Sequence, residues 1–349
     1  MKREAMTSRE RWLSVLRRQT PDRVPTDYWT TDEAREKLKR HLRCADDGEI
    51  FSRLHIDRKI LAEPDYVGPK IPENADVFGC RFQDMKYGTG KYRECVFHPL
   101  AQYASVAEIE KSYRWPSIDW FDCSTLKDRL KGWETQPVQG GGSEPFLTYA
   151  DLRGQEQALM DLVINPEMVH YCLDRLYTLS FDKSRMLYET LPGMITHSFV
   201  AEDMGSQEDL IYSPEQIKEF FIPWMKKMIK LSHDADVFVF HHSDGAVRKI
   251  IPDMIKAGID VLNPLQWRCK GMDREGLKRD FGSKLIFHGG VDNQQTLPFG
   301  TVADVRAEVL ENLRIFGSGY ILAPCHNIQA VSPAENVVAL YQTVWEYEK

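Results

Sequence analysis

Two segments of this chain end in side chains that can bind a metal or move a proton. Residues 237–245 read Val-Phe-Val-Phe-His-His-Ser-Asp-Gly, and residues 321–328 read Ile-Leu-Ala-Pro-Cys-His-Asn-Ile. Each begins with the apolar residues of a short buried strand and ends in polar groups. If the two strand ends converge, His242, Asp244 and His326 form a cluster of two imidazoles and one carboxylate.

This cluster has the composition of a catalytic metal site. Side chains two positions apart on a strand share a face, so His242 and Asp244 can point into the same space. Three protein ligands and one open position are typical of catalytic zinc, and the same set could hold Fe(II). Cys325 is a further candidate ligand, and His326 is also a candidate for catalysis. The purely structural alternatives are a helix N-cap for Asp244, a hydrogen-bonded imidazole for His242 and a packed thiol for Cys325.

Polar and aromatic residues after other predicted strands are candidates for catalysis or substrate binding. Glu202 and Asp203 end one strand, where only one of them can face inward for acid/base chemistry or to orient a ligating histidine. As an alternative, such acids cap the following helix. Tyr28 and Trp29 end the first strand and could stack on a flat substrate or fill the core. The remaining candidates for the rim of a substrate site are Asp151, Gln207, Gln266 and Asp292.

Short apolar segments alternate with long amphipathic segments from residue 145 onward. This order predicts parallel strands joined by crossover helices. Because polar residues follow the strands, as at the mouth of a (β/α)8 barrel, we expect one barrel domain over residues 1–349. A doubly wound sheet is the runner-up, but no GxGxxG follows the first strand. The predicted strands are residues 145–149, 196–200, 237–241, 261–264, 285–288 and 320–323, and the predicted helices are residues 214–231, 246–257, 273–281 and 302–316.

The N-terminal part of the chain adds elements outside this repeat. An apolar stripe at helical spacing predicts an N-terminal helix over residues 8–18, which leads into a first strand at residues 24–29. Residues 77–98 are rich in Gly, Tyr, Phe and Arg, with glycines on both sides of Thr89, and predict a β-hairpin insertion that could reach over the site. The Gln-Gly-Gly-Gly-Ser stretch at residues 139–143 predicts a mobile loop within the domain.

Composition favours a small-molecule substrate. The 349 residues include 45 Lys and Arg against 52 Asp and Glu, a net charge of -7, which gives no general attraction to nucleic acid or an anionic membrane. No apolar run is long enough to span a bilayer, and the first residues do not resemble a signal peptide. Seven scattered cysteines without a CxxC pair predict reduced thiols and a cytoplasmic protein. The oligomeric state stays open, with a homo-oligomer among the options.

Several segments, in order and over the full length, resemble the uroporphyrinogen decarboxylase superfamily, which includes cobalamin-dependent methyltransferases. The resemblance implies a single (β/α)8 barrel. Its carriers are residues 8–11 with 20–25, 202–207 with 213–215, 242–245, 257–264, 287–292, and 321–328 with 333–336.

Two branches of the superfamily imply different reactions. The decarboxylase branch has an Arg-Gln-Ala-Gly-Arg segment after the first strand to grip substrate carboxylates, whereas residues 26–33 here read Thr-Asp-Tyr-Trp-Thr-Thr-Asp-Glu. The methyltransferase branch binds zinc through a His-x-Cys pair and a later Cys, and the matching positions here are His242, Asp244 and His326, beside Cys325. The resemblance therefore implies a zinc-dependent demethylase that passes a methyl group from a small methoxylated or methylated compound to a corrinoid (cobalamin) on a partner protein.

Two other functions stay open as alternatives. One is a metal-free lyase that decarboxylates a tetrapyrrole or a smaller carboxylate. The other is a binding or carrier protein that has kept the barrel without its chemistry. A bound metal that depends on His242 would separate the methyltransferase from both.

Overall fold

The centre of the fold is a seven-stranded parallel sheet, seen in a computed structural model that describes residues 4–88 and 90–347. The strands are β1 (Ile60–Ala62), β2 (Asp65–Tyr66), β3 (Arg81–Tyr87), β4 (Gly90–Phe97), β5 (Phe121–Asp122), β6 (Val138–Ser143), β7 (His197–Val200), β8 (Phe238–His242), β9 (Val261–Leu265), β10 (Ile286–Val291) and β11 (Tyr320–Pro324). The order in the parallel sheet is β1-β6-β7-β8-β9-β10-β11, while β2 pairs with β5 and β3 with β4 in antiparallel ribbons.

Helices connect the strands of this sheet, as the alternation in the sequence predicts. Serine and threonine caps start several of them, and Thr301 forms a capping box with Asp304. The helices are α1 (Ser8–Leu16), α2 (Asp32–Leu42), α3 (Asp47–Leu54), α4 (Val106–Ser112), α5 (Leu126–Arg129), α6 (Pro145–Arg153), α7 (Gln155–Ile164), α8 (Pro166–Thr190), α9 (Pro214–Gln216), α10 (Ile222–Asp234), α11 (Ile251–Ala257), α12 (Arg274–Phe281), α13 (Thr296–Phe299), α14 (Val302–Phe316) and α15 (Ala334–Tyr347).

The sheet curls, so that its two edges approach each other. Along one edge, an extended segment pairs with β11: the Asp27 N–H donates to the Leu322 carbonyl, and the Leu322 N–H donates to the Pro25 carbonyl, both at 2.9 Å. Just before β1, on the other edge, the Asp57 carboxylate accepts the Thr26 N–H at 2.9 Å. The expected α/β fold with parallel strands is confirmed. The curled sheet consists of seven strands, and the extended segment bridges to its last strand, β11.

Helix α1 closes the end of the curled sheet where the strands begin. The Trp12 ring is fully buried and stacks on His197, the first residue of β7, with 5.2 Å between centroids. It also stacks on Phe240 of β8 at 5.9 Å and packs with Val261, the first residue of β9. The predicted N-terminal helix is therefore part of the core, and the carboxyl ends of the strands form the opposite, open end.

The sequence-based prediction was wrong around residue 140. The expected strand at residues 145–149 is helix α6, and the expected mobile loop is strand β6. Gly141 and Gly142 have φ of 72° and 121°, and a Cβ on Gly142 would lie 2.0 Å from the Phe199 carbonyl oxygen. Only glycine permits that close approach, so the residues that suggest a loop are those that a bulged inner strand requires here.

The antiparallel pair β3 and β4 corresponds to the predicted hairpin, although Thr89 lies outside the described residues. The ribbon is anchored on α6. The Cys95 thiol donates to the Asp151 carbonyl at 3.5 Å, and His98 Nδ1 lies 2.7 Å from the same oxygen. Within residues 4–88 and 90–347, no helix has the length and apolar character needed to cross a membrane.

Candidate metal centre

Three potential metal ligands meet at the open end of the sheet. Asp203 follows β7 by three residues, His242 ends β8, and Asp244 lies two residues further on. Each offers one ligand atom, and these atoms all lie within 4.8 Å of one another. His242 Nε2 is 3.7 Å from Asp203 Oδ1. Because β7 and β8 are neighbours in the sheet, their carboxyl ends present these side chains to the same space. We refer to Asp203, His242 and Asp244 as the triad.

The end of β11 reaches the same space, as the sequence predicts for the two strand ends. His326 Nε2 lies 3.9 Å from Asp244 Oδ2, and the His326 and His242 ring centroids are 6.4 Å apart. Trp29 packs on His326 with 4.5 Å between centroids and on His242 at 6.0 Å. Trp29 as a whole is 40% exposed, so it lies at the edge of the site, where a substrate could contact it.

A third acid, Glu144, belongs to the site and was missed from the sequence. It follows the last residue of β6 and interacts electrostatically with all three members of the triad. Burial raises the pKa of the Glu144 carboxyl; the charge of His242 opposes this, and Asp203 and Asp244 reinforce it. The signal was present, because a strand at residues 138–143 makes Glu144 the polar residue at its end.

Hydrogen bonds hold Asp244 in the triad. Gln266 Nε2 donates to Asp244 Oδ1 at 3.0 Å, while Gln266 Oε1 accepts the Gly245 N–H at 2.7 Å. Asp203 Oδ1 accepts the Asp244 N–H at 2.9 Å. The next helical turn has Val247 at its N-cap and no side-chain cap bond, so Asp244 does not serve as a helix cap. Burial raises the pKa of Asp244, although the charges of His242 and His326 oppose that effect.

Glu202 and Tyr28 face away from the triad. The Glu202 carboxylate is buried and accepts a hydrogen bond from the Tyr177 hydroxyl at 2.9 Å. Burial raises its pKa well above the usual value. Tyr28 packs against Phe51 and Tyr341, and burial raises its pKa to about 12. Of the pair Glu202 and Asp203, the structure places Asp203 in the site. Of the pair Tyr28 and Trp29, it places Trp29 there, and the other member of each pair lies in the core.

Cys325 and Asp292 lie beside the site with partners of their own. The Cys325 thiol is buried and donates to the Leu265 carbonyl at 3.0 Å, and burial raises its pKa well above the usual value. It is not a member of the triad. Asp292 accepts hydrogen bonds from Arg268 Nε at 2.7 Å and from the Thr296 N–H at 2.9 Å, so its carboxylate orders the turn after β10.

The remaining rim candidates have different surroundings. Gln207 is exposed, and its side-chain oxygen accepts from the Cys269 thiol at 3.4 Å. Asp151 lies on α6, and its carbonyl contacts His98 next to the β3–β4 ribbon. The structure thus brings Gln266 to the triad, and it gives Gln207 and Asp151 contacts with other groups.

A cavity of about 330 Å³ lies between the ends of β1 and β6 and residues 180–187 of α8, and no member of the triad lines it. Phe199 of β7 lines it and also packs on the His242 ring with 5.8 Å between centroids. Glu144 and Leu61 line it as well, and Leu61 is 55% exposed. This volume lies at the small end of the range for pockets that bind organic ligands. The side chains of Phe199 and Glu144 therefore connect the cavity to the triad.

The chain resembles known proteins in its sequence profile and in its fold. The sequence profile of the family described as Uroporphyrinogen decarboxylase (URO-D) matches residues 7–347. A solved structure of a methyltransferase from Methanosarcina mazei superposes with a TM-score of 0.68 at 20% identity, covering 99% of this chain and 100% of that one. A protein described as a vitamin-B12 independent methionine synthase from Listeria monocytogenes gives a TM-score of 0.42 at 12% identity, with 93% and 96% of the two chains covered. No curated protein shows significant sequence similarity to this chain.

Proposed function

Because this chain belongs to the uroporphyrinogen decarboxylase family, we propose that it is a metal-dependent methyltransferase that demethylates a small methoxylated or methylated compound. The methyl acceptor in this proposal is a corrinoid carried by a partner protein. The proposal is carried by one observation, the triad of Asp203, His242 and Asp244 at the open end of the sheet. The structural likeness to a methyltransferase supports it through the fold alone.

The donor set fits a divalent metal such as zinc. One imidazole nitrogen and two carboxylate oxygens are accepted zinc ligands, and Asp203 is 49% exposed, which leaves one side of the triad open. His326 Nδ1 lies 2.5 Å from Asn327 Oδ1, so it carries the proton, and Nε2 faces Asp244 as a candidate fourth ligand. When bound, the metal would act as a Lewis acid on the atom that bears the methyl group.

The residues around the triad would hold the substrate and direct the methyl group. The cavity next to Phe199 would take the body of the methyl donor, and Trp29, which packs on His326 and His242, would contact the donor beside these histidines. In the transfer, the bond from the donor atom to the methyl carbon breaks, and its electron pair stays on the donor atom. A reduced corrinoid on the partner protein, as the second substrate, would supply the electron pair for the new bond to the methyl carbon. Oxygen-rich ligands in place of thiolates favour an oxygen-bound methyl group.

The charge at the open end disfavours the lyase. Asp203, Asp244 and Glu144 surround the space that a substrate would enter. A polycarboxylated tetrapyrrole needs cations there, because an unpaired carboxylate is costly to take out of water. Residues 24–33, which follow the path of the first extended segment, contain no arginine.

Metal analysis of the purified protein tests the proposal directly. We expect about one equivalent of zinc per chain after reconstitution and removal of excess metal. His242→Ala should lose it, because the triad then keeps only two carboxylates. His170→Ala is the matched control, since its imidazole is 52% exposed and pairs with Glu219 elsewhere on the surface. A wild-type protein without stoichiometric metal under metal-replete conditions would contradict the proposal.

An activity assay separates the methyltransferase from the lyase. The metal-loaded protein should transfer a methyl group from a methoxylated donor to a reduced free corrinoid. The change in corrinoid absorbance measures this transfer. His242→Ala should abolish this activity. Incubation with uroporphyrinogen should release no CO2, and CO2 release that survives His242→Ala would favour the lyase.

A further inference from the structure

A chain of buried hydrogen bonds leads from His242 into the interior of the sheet. His242 Nδ1 lies 2.6 Å from Asn263 Oδ1 on β9, and Asn263 Nδ2 lies 2.5 Å from His288 Nδ1 on β10. His288 Nε2 lies 3.1 Å from Asp27 Oδ2, which also accepts from Lys59 Nζ at 2.9 Å. The first four of these side chains are buried, so water does not compete for their hydrogen bonds.

The direction of donation along these hydrogen bonds is set at the Asp27 end. Burial alone would raise the pKa of Asp27, but the charge of Lys59 and the hydrogen bond from His288 hold it below its usual value. Asp27 is therefore a carboxylate, which can only accept, and His288 must donate to it through Nε2. Burial lowers the pKa of His288, although Asp27 opposes this. The ring then carries a single proton, and its Nδ1 is an acceptor.

The amide of Asn263 transmits this direction of donation to His242. Only the amide nitrogen can donate to His288 Nδ1, so the amide oxygen must face His242. That oxygen accepts and cannot donate, which requires a proton on His242 Nδ1. When the His242 ring is neutral, its lone pair is therefore on Nε2, the atom that faces Asp203 at 3.7 Å.

The reverse direction of donation along these hydrogen bonds is costly. If the amide were inverted, its nitrogen would donate to His242 Nδ1, and the proton of His242 would move to Nε2, where it blocks metal binding. The amide oxygen would then face His288 Nδ1. His288 would have to carry protons on both nitrogens to satisfy this oxygen and Asp27, and a charged imidazole is disfavoured at a buried position.

We propose that Asn263, His288 and Asp27 are positioning residues that fix His242 in the one tautomer able to bind a metal. The proposal rests on the proposed function, because this tautomer matters only if His242 binds a metal. The tautomer itself is a property of the metal-free protein and can be measured without any metal or activity. Hydrogen-bond partners behind ligating histidines typically contribute a factor of about 10–100 to metal affinity.

Nitrogen NMR of the metal-free wild-type protein, labelled with 15N in its histidine rings, tests the tautomer first. The two-bond couplings between ring nitrogens and ring protons show which nitrogen is protonated, and His242→Gln assigns the His242 signals. We expect a proton on Nδ1 of His242 and on Nε2 of His288 at neutral pH. A neutral His242 ring with its proton on Nε2 and none on Nδ1 would overturn the proposal.

A pair of matched variants then tests the chain. His288→Leu removes the acceptor that orients Asn263, so both His242 tautomers should become populated, and zinc affinity should fall by about 10–100-fold. His197→Leu is the control, because His197 is equally buried and stacked on Trp12, yet its ring nitrogens have no hydrogen-bond partner among the described residues. It should keep both the tautomer and the affinity, which is measured by competition with a chromophoric chelator.

The outcomes separate this proposal from the proposed function. Equal zinc affinity and an unchanged His242 tautomer in both variants would overturn the role of His288. If His288→Leu fails to fold, the wild-type spectrum still decides which nitrogen of His242 is protonated. If wild-type protein binds no zinc while His242 carries its proton on Nδ1, the proposed function fails and the tautomer assignment stands.

Discussion

The two ends of the curled sheet treat buried charge in opposite ways. At the end closed by α1, Asp57 is fully buried between two guanidinium groups, with Arg11 Nη1 at 2.5 Å and Arg23 Nη1 at 2.9 Å. At the open end, Asp203 and Asp244 face histidines at 3.7 Å and 3.9 Å. At the closed end, arginine side chains neutralise the buried carboxylate. At the open end, the acids lie close together, and a bound cation would neutralise them.

This difference has consequences for stability at each end. A buried ion pair is costly to break, because the partner that remains has lost both water and its counter-charge. Acids held close together repel one another, so removing one of them relieves the folded state. Substitutions at the closed end should therefore destabilise the fold, and neutral substitutions among the buried acids near the open end should not.

The largest effect is expected for Asp57→Ala at the closed end. It leaves Arg11 and Arg23 buried without their shared carboxylate and removes the acceptor of the Thr26 N–H. We expect a loss of about 3–5 kcal/mol in the free energy of unfolding, measured by urea denaturation with and without zinc. The loss should be the same in both conditions, because Asp57 does not belong to the triad.

An exposed ion pair provides the control for that measurement. Asp84 and Lys91 pair across the β3–β4 ribbon, and their side chains are 52% and 55% exposed. Asp84→Ala should change stability little, because water replaces the lost partner. A loss for Asp57→Ala as small as that for Asp84→Ala would mean that the closed end does not depend on its buried charges.

A smaller effect of opposite sign is expected for Glu202→Gln. Burial raises the folded-state pKa of Glu202 above the ordinary value of 4.5. Below pH 4.5 the carboxyl is protonated in both states. As the pH rises toward the folded-state pKa, only the unfolded chain releases the proton, so wild-type stability falls. Glu202→Gln should therefore be more stable than wild type at neutral pH, and the gain should shrink toward pH 4.5.

Asp27 gives the opposite pH dependence and sharpens the contrast. Burial alone would raise its pKa, but Lys59 and His288 bring the folded-state pKa below the ordinary 3.8, so its contribution to stability is present above that pH and is lost as the pH falls through the lowered pKa. Unfolding free energies of wild type, Glu202→Gln and Asp27→Asn, measured across the acid range, test both signs. A gain for Glu202→Gln that persists undiminished at pH 4.5 would contradict the assignment for Glu202.

Local patterns were sufficient to predict much of the fold. Strands β7 to β11 follow from short apolar segments, and helices α12 and α14 follow from an amphipathic pattern; both signals depend on neighbours in the sequence. Strand β6 was missed because its glycines serve a tertiary purpose. The close approach of Gly142 to the Phe199 carbonyl involves residues 57 positions apart, and no local period records it.

The site was predictable to the extent that it depends on strand alternation. His242 and Asp244 share a face two residues apart, and their proximity follows from that spacing. The inward turn of Asp203, and not of Glu202, depends on how the loop after β7 folds against β8. The contact of His288 with Asp27 joins residues 261 positions apart, so it could only be seen in the structure.

The smallest effect is expected for Cys325→Ala, which tests where the open end stops. The sequence made Cys325 a candidate ligand, yet its thiol donates to the Leu265 carbonyl, and burial raises its pKa. Zinc binds thiolates, and a buried thiol that already serves as a donor has little tendency to lose its proton. Cys325→Ala should keep full zinc affinity in the chelator competition and lose only about 1 kcal/mol of stability through packing. His326→Ala, one position away, should weaken zinc binding if Nε2 is the fourth ligand. If Cys325→Ala weakened zinc binding and His326→Ala did not, the thiol and not the imidazole would be a metal ligand, and the metal would lie closer to β11.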